Sequence, residues 1–264
     1  MPRWKKQFAV SLLAGALGWS CGVRPAQALT VSPGRTEIRL APGEKMKMRL
    51  SAVNDSKEEL QVTVSKKDWF VLDANKAWGV DQWMKINGPE RFTLKPGQKR
   101  EIPVTVTCPR GAQGELVGMA SFLYQTLSPT MVTPVISVSI YLEVAGTEKV
   151  AGEITEVGVR RWQERLQAAV AVKATGTVHL RPTGEILLKD SDGRPVARFP
   201  VPEASPAYPG RVQGYLAQVP PDFTLAPGRY RAEAHLNYRD LALSAARDFV
   251  VSAKGQIQMT SATQ

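Results

Sequence analysis

The residues that carry out most acid–base and metal chemistry are scarce in this chain. Its 264 residues include two histidines and two cysteines. His235 lies on the polar face of an alternating segment, where a solvated side chain is expected rather than a catalytic base. The carboxylate pairs Glu58-Glu59 and Asp190/Asp192 sit in turn sequences that build no cleft. With no nucleophile, metalloprotease, Walker or dinucleotide motif either, we predict a protein that is not an enzyme and holds no metal or cofactor.

The two cysteines fall in different contexts. Cys108 follows Val104 and Val106 at a spacing of two, so it is predicted to be a small buried side chain rather than a reactive thiol. Cys21 lies in the N-terminal segment and cannot belong to the same fold if that segment is removed. The fold is therefore expected to depend on hydrophobic cores rather than on a disulfide.

The N-terminal segment has the pattern of a secretory leader. Arg3, Lys5 and Lys6 precede an uncharged apolar run over residues 8–19, and Ala26-Gln27-Ala28 supplies small residues at a cleavage site. We predict a leader over residues 1–28 and a periplasmic location. The alternatives are an uncleaved anchor helix, which the short apolar run disfavours, and a lipid anchor at Cys21 or a cell-surface location.

The charge of the chain limits the partners it is expected to have. The formal net charge is +10, and the predicted leader contributes Arg3, Lys5, Lys6 and Arg24 without any acid, so the remainder stays moderately basic. Such a balance predicts weak attraction to anionic envelope surfaces. Because no basic cluster is interleaved with aromatic residues, no nucleic-acid partner is predicted.

Period-two alternation of apolar and polar residues runs through most of the chain and predicts an all-β fold. Its longest stretch spans residues 132–144 and ends near Gly146. The apolar set on even positions is Val132, Pro134, Ile136, Val138, Ile140, Leu142 and Val144. A proline at the start of such a stretch indicates a sheet edge or an irregular beginning of a strand.

The alternation restarts after about residue 150, which predicts two tandem immunoglobulin-like β-sandwiches. We place the first over residues 29–149, the second over 150–252, and a flexible tail over 253–264. A Leu-x-Pro-Gly motif recurs at residues 40–43, 94–97 and 225–228. Proline presets the second position of a type II turn and glycine accepts positive φ at the third, so each copy predicts a corner between strands.

The tryptophans of the first half have two interpretations. Trp69, Trp78 and Trp83 fall in its least regular part. They could form a platform for a ligand, but tryptophans in such places more often fill the core or close one end of a sandwich, which is the interpretation we favour.

The order of several motifs in residues 29–145 resembles the N-terminal immunoglobulin-like domain of the PapD-like periplasmic pilus chaperones. Each motif is weak by itself, and their order carries the resemblance. The motifs are Val31-Ser32-Pro33-Gly34-Arg35-Thr36, a strand ending Val53-Asn54-Asp55, Lys67-Asp68-Trp69, Phe92-Thr93-Leu94-Lys95-Pro96-Gly97, and a long strand ending Ile140-Tyr141-Leu142. The second half resembles a generic extracytoplasmic sandwich more than the second domain of a pilus chaperone.

This resemblance implies that the last strand of the first domain is lent to an incomplete pilin subunit by β-strand addition. The residues implied as partner-binding are Val132, Ile136, Val138, Ile140, Leu142 and Arg35. The alternative is that the even-numbered side chains fill the domain's own core, since both roles require the same alternation.

The sequence departs from the family at its two anchors for the client's terminal carboxylate. Alignment without gaps places Glu37 where the family has an arginine and Ser139 where it has a lysine. Arg35 and Arg39 are the nearby cations that could substitute.

Together these features predict a periplasmic chaperone-like protein that holds extended segments of fimbrial or other envelope proteins by β-strand addition. The alternative is a non-catalytic structural or adhesive envelope module in which the sandwiches serve as spacers.

Overall fold

The computed structural model describes residues 28–126 and 133–260 of the chain. The alternating segments form strands throughout both ranges, with one short helix, α1 (Val80–Trp83), and one 3-10 turn (Asp73–Asn75). The strands of the first half are β1 (Leu29–Ser32), β2 (Arg35–Leu40), β3 (Lys45–Asn54), β4 (Leu60–Phe70), β5 (Met84–Ile86), β6 (Arg91–Leu94), β7 (Lys99–Thr107), β8 (Glu115–Thr126) and β9 (Val135–Val144). Those of the second half are β10 (Gly152–Trp162), β11 (Arg165–Ala174), β12 (Thr183–Asp190), β13 (Pro195–Val201), β14 (Val212–Leu216), β15 (Gly228–Tyr238), β16 (Leu241–Val251) and β17 (Ile257–Met259).

The first half is a sandwich of two sheets. One sheet has the order β1-β3-β7-β5 and the other has the order β2-β9-β8-β4-β6. The chain changes sheet between β1 and β2, so β1 pairs antiparallel with β3 while β2 pairs parallel with β9. Side chains from both sheets, including Val104 and Phe122, meet in one buried cluster.

The second half repeats this construction with different strand orders. A sheet of order β10-β11-β14 packs against a sheet of order β13-β12-β15-β16-β17. Their inward side chains form a second, separate cluster that includes Val170, Tyr215 and Phe249. The predicted all-β class with two tandem sandwiches is therefore confirmed, and the exact domain bounds stay a prediction.

Two of the three Leu-x-Pro-Gly motifs have the predicted turn. Gly43 and Gly97 have φ of 88° and 72°, a region that glycine reaches without the strain that a Cβ would bring. Gly228 does not have positive φ, because it is already the first residue of β15 and pairs with Val251 of β16.

The structure agrees with the predicted burial of Cys108 and of two of the three tryptophans. Cys108 is fully buried, and burial raises the pKa of its thiol. Trp83 is buried and Trp78 packs against the same core, but half of the Trp69 surface is exposed. The core interpretation is thus wrong for Trp69.

The predicted tail is partly wrong. Residues 257–259 form β17, which pairs with β16 through Val251 and Ile257. The backbone N–H of Val159 donates to the Met259 sulfur at 3.4 Å, so this strand also contacts β10. Ile257 and Met259 pack against the second core, and Thr260 donates from its N–H and its hydroxyl to the Asp248 carbonyl at 2.9 and 2.8 Å. No helix within the described ranges is both long enough and apolar enough to cross a membrane.

The packing of β9 predicts effects of very different size for the same substitution at two positions of this strand. Val138 is 0% exposed and Val135 is 52% exposed. Val138→Asp should lower the free energy of unfolding by about 3 kcal/mol or more, because it buries an unpaired carboxylate. Val135→Asp should change it by less than about 0.5 kcal/mol. Urea denaturation of both variants measures this, and equal effects would contradict the burial difference.

The two separate cores predict that each half folds by itself. Residues 29–149 and 150–260 should each give a cooperative β-type thermal transition by circular dichroism when expressed separately. The second fragment includes β17 because that strand completes a sheet. If neither fragment unfolds cooperatively, the two cores are not independent.

Candidate functional site

The start of β9 has a strand neighbour on one side only. On one side, β8 pairs with β9 from Leu123↔Val135 to Glu115↔Glu143. On the other side, the parallel ladder with β2 begins at Arg35↔Ser139 and continues to the end of β9. Residues 135–138 therefore have no ladder partner on that side among the described residues. We call this stretch the open edge.

The backbone of the open edge offers hydrogen-bonding groups to an incoming strand. Tyr124 N–H donates to the Pro134 carbonyl at 3.2 Å, so the even-numbered residues bond to β8. Since these groups alternate along a strand, the N–H and C=O of Val135 and Ser137 point away from β8. Ser139, two residues further, donates its N–H to the Gly34 carbonyl at 3.4 Å, which confirms the direction.

The predicted partner-binding side chains lie mostly in the protein's own core. Val138, Ile140 and Leu142 are each 0% exposed, and Ile136 packs against the same cluster while remaining partly accessible. These side chains face the opposite sheet, so in this state they contact the chain itself. Val132 lies outside the described residues. A partner-binding role for this set stays a prediction, and the exposed residues of the open edge are Val135 and Ser137.

Arg35 is already engaged by carboxylates of its own chain. Its Nη1 donates to Glu203 Oε1 at 2.6 Å, and its Nε lies 3.2 Å from Glu37 Oε1. The hydrogen bond to Glu203 is the largest cause that raises the pKa of Arg35. A carboxylate from a partner would have to displace Glu203, which comes from the second half. Arg39 is paired likewise, with its Nε 2.6 Å from Glu148 Oε1.

A buried polar junction, not predicted from the sequence, lies beside β2 and β9 where the two halves meet. At its centre Glu115 Oε1 is 2.7 Å from His179 Nδ1, and the His179 backbone N–H donates to Glu115 Oε2 at 3.2 Å. Both side chains are at most 1% exposed. His179 Nε2 has no hydrogen-bond partner among the described residues and lies 3.8 Å from Glu37 Oε1.

An ion pair closes the junction on one side. Arg239, on the turn after β15, donates from both terminal nitrogens to Glu143 of β9, one of these bonds measuring 3.1 Å. The hydrogen bond to Glu143 is the largest cause that raises the pKa of Arg239. Glu143 is nearly buried, so this pairing satisfies a carboxylate that would otherwise be desolvated without compensation.

Aromatic hydroxyls close the junction on the other side. Tyr141 of β9 and Tyr208 of the second half have their hydroxyl oxygens 3.1 Å apart, and Arg181 Nη2 donates to the Tyr141 hydroxyl at 2.9 Å. Trp69 Nε1 donates to the Tyr208 hydroxyl at 2.8 Å, which explains why this tryptophan lies outside the core. Phe70 stacks on Tyr208 with ring centroids 4.6 Å apart.

Burial shifts the titratable groups of the junction toward their neutral forms. Burial raises the pKa of Glu115 and of Tyr208, and it raises the pKa of Tyr238 to about 12. These groups are thereby kept neutral over a wider pH range, which suits a dry interface. No group of three metal-ligating side chains occurs within residues 28–126 and 133–260.

Sequence reasoning found the strand but missed the junction. His179 lies between Val178 and Leu180. In an alternating segment with one buried face, Val178 and Leu180 would be buried and His179 would be exposed. The structure buries all three residues, because Leu180 pairs with Ala207 on one side while Glu115, at the start of β8, covers the other. An ionisable residue within an apolar run was the one available signal. The predicted solvation of His235 agrees with its side chain being 49% exposed.

Comparison with known proteins gives a likeness of fold. No family model and no curated protein matches the chain. The crystal structure of the YadV chaperone is similar with a TM-score of 0.46 and 10% identity, covering 84% of this chain and 99% of that one. The class 5 fimbriae chaperone CfaA has a TM-score of 0.43 and 12% identity, covering 89% and 100%. The Pseudomonas aeruginosa CupB2 chaperone has a TM-score of 0.42 and 11% identity, covering 88% and 97%.

Chaperones, one of them a fimbriae chaperone, are thus among the solved structures to which the chain is similar, in line with the resemblance of its sequence. At such identities and TM-scores it concerns the fold, and no residue role is taken from them.

The buried pair at the junction predicts a specific pH dependence. Because burial raises the pKa of Glu115 in the folded chain above its ordinary 4.5, folding favours the protonated carboxyl. This contribution to stability is present below the ordinary pKa and is lost as pH rises through the raised one. The stability of the wild type relative to Glu115→Gln should therefore fall as pH rises from about 4.

Urea denaturation of both proteins across this range measures the difference. Glu58→Gln is the matched control, because Glu58 is exposed and its side chain makes no described hydrogen bond. A difference between wild type and Glu115→Gln that stays constant, or grows, as pH rises would contradict the account.

Proposed function

We propose that this protein is a periplasmic chaperone-like protein that holds extended segments of fimbrial or other envelope proteins by adding them to the open edge of β9. The observation that supports this most directly is the uncovered backbone of residues 135–138, where β8 pairs on one side and β2 does not reach. Exposed edges of this kind recruit other strands, and proteins normally cover or charge them.

The open edge carries none of the usual protection. Its residues are Val135, Ile136, Ser137 and Val138, without charge or proline, and Val135 is 52% exposed. In β-strand addition, backbone hydrogen bonds supply affinity and alternate side chains supply selectivity. The N–H and C=O groups of Val135 and Ser137 would supply the backbone hydrogen bonds, and the Val135 side chain would supply part of the selectivity.

The proposed mode of binding differs from the one that the resemblance implies at the client's terminal carboxylate. The positions of the family's two anchors are occupied by Glu37 and Ser139, and Arg35 is held by Glu203. Affinity would then come from the backbone of the open edge rather than from a carboxylate clamp. A client bound in the middle of its chain would fit this edge as well as one bound at its end.

The location and partners are proposed on the same basis. The basic, apolar and small-residue regions before Ala28 support export through a cleaved leader. An exported protein with an unprotected edge would meet envelope proteins that are not yet folded. Fimbrial subunits are the class of such proteins that the resemblance indicates.

A second candidate function is supported by the burial of the even-numbered side chains. Val138, Ile140 and Leu142 complete the first core, as expected of a sandwich that acts as a spacer. In that case the open edge would be solvated and would bind nothing.

Two substitutions at one position separate these functions. Ser137→Pro removes an N–H that points to the open side and leaves the ladder to β8 intact, so the fold should survive. A fimbrial subunit refolded from denaturant with the wild-type chain should elute as a soluble complex, and with Ser137→Pro it should aggregate. Size-exclusion chromatography measures both outcomes.

The matched control is Ser137→Ala, which keeps the N–H and removes only the hydroxyl that lies 2.8 Å from the Ser121 hydroxyl. This variant should form the complex as the wild type does. A complex with Ser137→Pro as abundant as with Ser137→Ala, at equal melting temperatures, would refute strand addition here, and the absence of any complex would favour the spacer.

A further inference from the structure

The second half has an unprotected edge of its own at β14. This strand pairs with β11 and ends its sheet, whose order is β10-β11-β14. It contains no charged residue and no proline, and two of its five side chains are large, apolar and exposed: Val212 by 57% and Leu216 by 58%. An edge with this composition is the kind that proteins normally suppress.

Most other edge strands of the described chain carry such protection. Charged residues lie on β2, β5 and β6, and β13 has prolines and an arginine. The other edge of the same sheet, β10, is approached by β17. The protecting residues are Arg35, Glu37 and Arg39 on β2, Lys85 on β5, Arg91 on β6, and Pro195, Arg198 and Pro200 on β13.

The backbone of β14 directs hydrogen-bonding groups to its free side. Ala217 N–H donates to the Ala168 carbonyl at 2.9 Å, and Ala174 N–H donates to the Arg211 carbonyl at 3.3 Å. These pairs fix the alternation of the ladder, so the odd-numbered residues of β14 bond to β11. The N–H and C=O of Val212, Gly214 and Leu216 therefore point away from β11.

Among the described residues, the outer face beside this edge is open at Gly214. Val212 lies opposite Lys173, Gly214 opposite Ala171, and Leu216 opposite Ala169. A Cβ built on Gly214 would meet no atom within 4 Å. At the Leu216 end, a groove of about 290 Å³ is lined by Leu216, Val219 and Pro221 together with Arg165. An added strand would meet no obstruction at Gly214 and could place an apolar side chain in this groove.

Cations without an ion-pair partner among the described residues lie at both ends of β14. Arg211 precedes the strand, Lys173 lies opposite its first residue, and Arg165 lines the groove at its end. None of these three side chains forms an ion pair with another described residue. On β10, Glu156 lies opposite Ala171 and is paired with Arg247 at 3.6 Å, and Glu153 lies opposite Lys173. Arg211 at one end of the strand and Arg165 at the other would therefore favour an acidic partner.

We infer that β14 is a second strand-addition edge, which binds an extended protein segment with apolar side chains in its middle and acidic residues at its ends. This site lies on a different strand and sheet from the open edge of β9, and it selects its partner by charge. It goes beyond the proposed function, because a segment could bind here whether or not the edge of β9 holds a client.

The test uses the full chain and a fluorescent peptide of alternating valine and threonine with aspartates at both ends. Fluorescence anisotropy should show saturable binding, and the same peptide with lysines at its ends should bind at least about tenfold more weakly. Gly214→Pro removes an N–H on the free side and should weaken binding by a similar factor, whereas Gly214→Ala should bind as the wild type does.

Further variants make each outcome decisive. If Gly214→Pro does not fold, Val212→Thr with Leu216→Thr replaces it, and Val196→Thr on β13, an equally apolar exposed position, serves as its control. Binding should persist in Ser137→Pro. Loss of binding in Ser137→Pro but not in the β14 variants would assign the peptide to β9 and overturn the inference.

Two other results would also overturn it. Equal affinity for the lysine-ended and aspartate-ended peptides would contradict the preference for an acidic partner. Sedimentation that shows a dimer of the wild type, dissociated by Gly214→Pro, would assign β14 to a second copy of the chain instead.

Discussion

The parallel ladder between β2 and β9 determines what the rest of the first half can do. Every backbone N–H and C=O in a sheet must find a partner in the protein or in water. Because β2 begins at Arg35 and meets β9 at Ser139, it satisfies the outer side of β9 only from that residue onward. The preceding residues keep their inward side chains in the core, while no other described strand pairs with their outer backbone. The side chains of β9 thus contribute to the core along the whole strand, while the backbone of residues 135–138 forms an open edge.

The polar junction joins the two strands beside the open edge to the second sandwich. Glu143 and Tyr141 of β9 contact Arg239, Arg181 and Tyr208, all of which come from the second half. Glu115 at the start of β8 reaches His179 in the same way. The two strands that frame the open edge are therefore tied by their other ends to the second sandwich. Such buried pairs contribute little net stability, but breaking one leaves a buried charge, so they specify one arrangement of the halves.

The sequence was sufficient for the strands and insufficient for the contacts between them. Alternation from Ile136 to Val144 indicates a strand, but it cannot tell a partner's groove from the protein's own core, since both require the same period. The alternation also placed Val132 in that strand, and Val132 lies outside the described residues. The ladder of β2, which decides where the edge opens, depends on a register that no local pattern records. His179 and Glu115 are 64 residues apart, so their pairing follows from the packing of two sandwiches.

Amide hydrogen exchange of the full chain, followed with and without a refolding fimbrial subunit, tests the central claim most directly. Free N–H groups on an edge exchange quickly, and a bound strand would protect them. The account predicts that Val135 and Ser137 gain protection when the subunit binds, while Ile136 and Val138, already bonded to β8, change little. Protection that appears elsewhere in the chain while Val135 and Ser137 continue to exchange as in the free protein would contradict it.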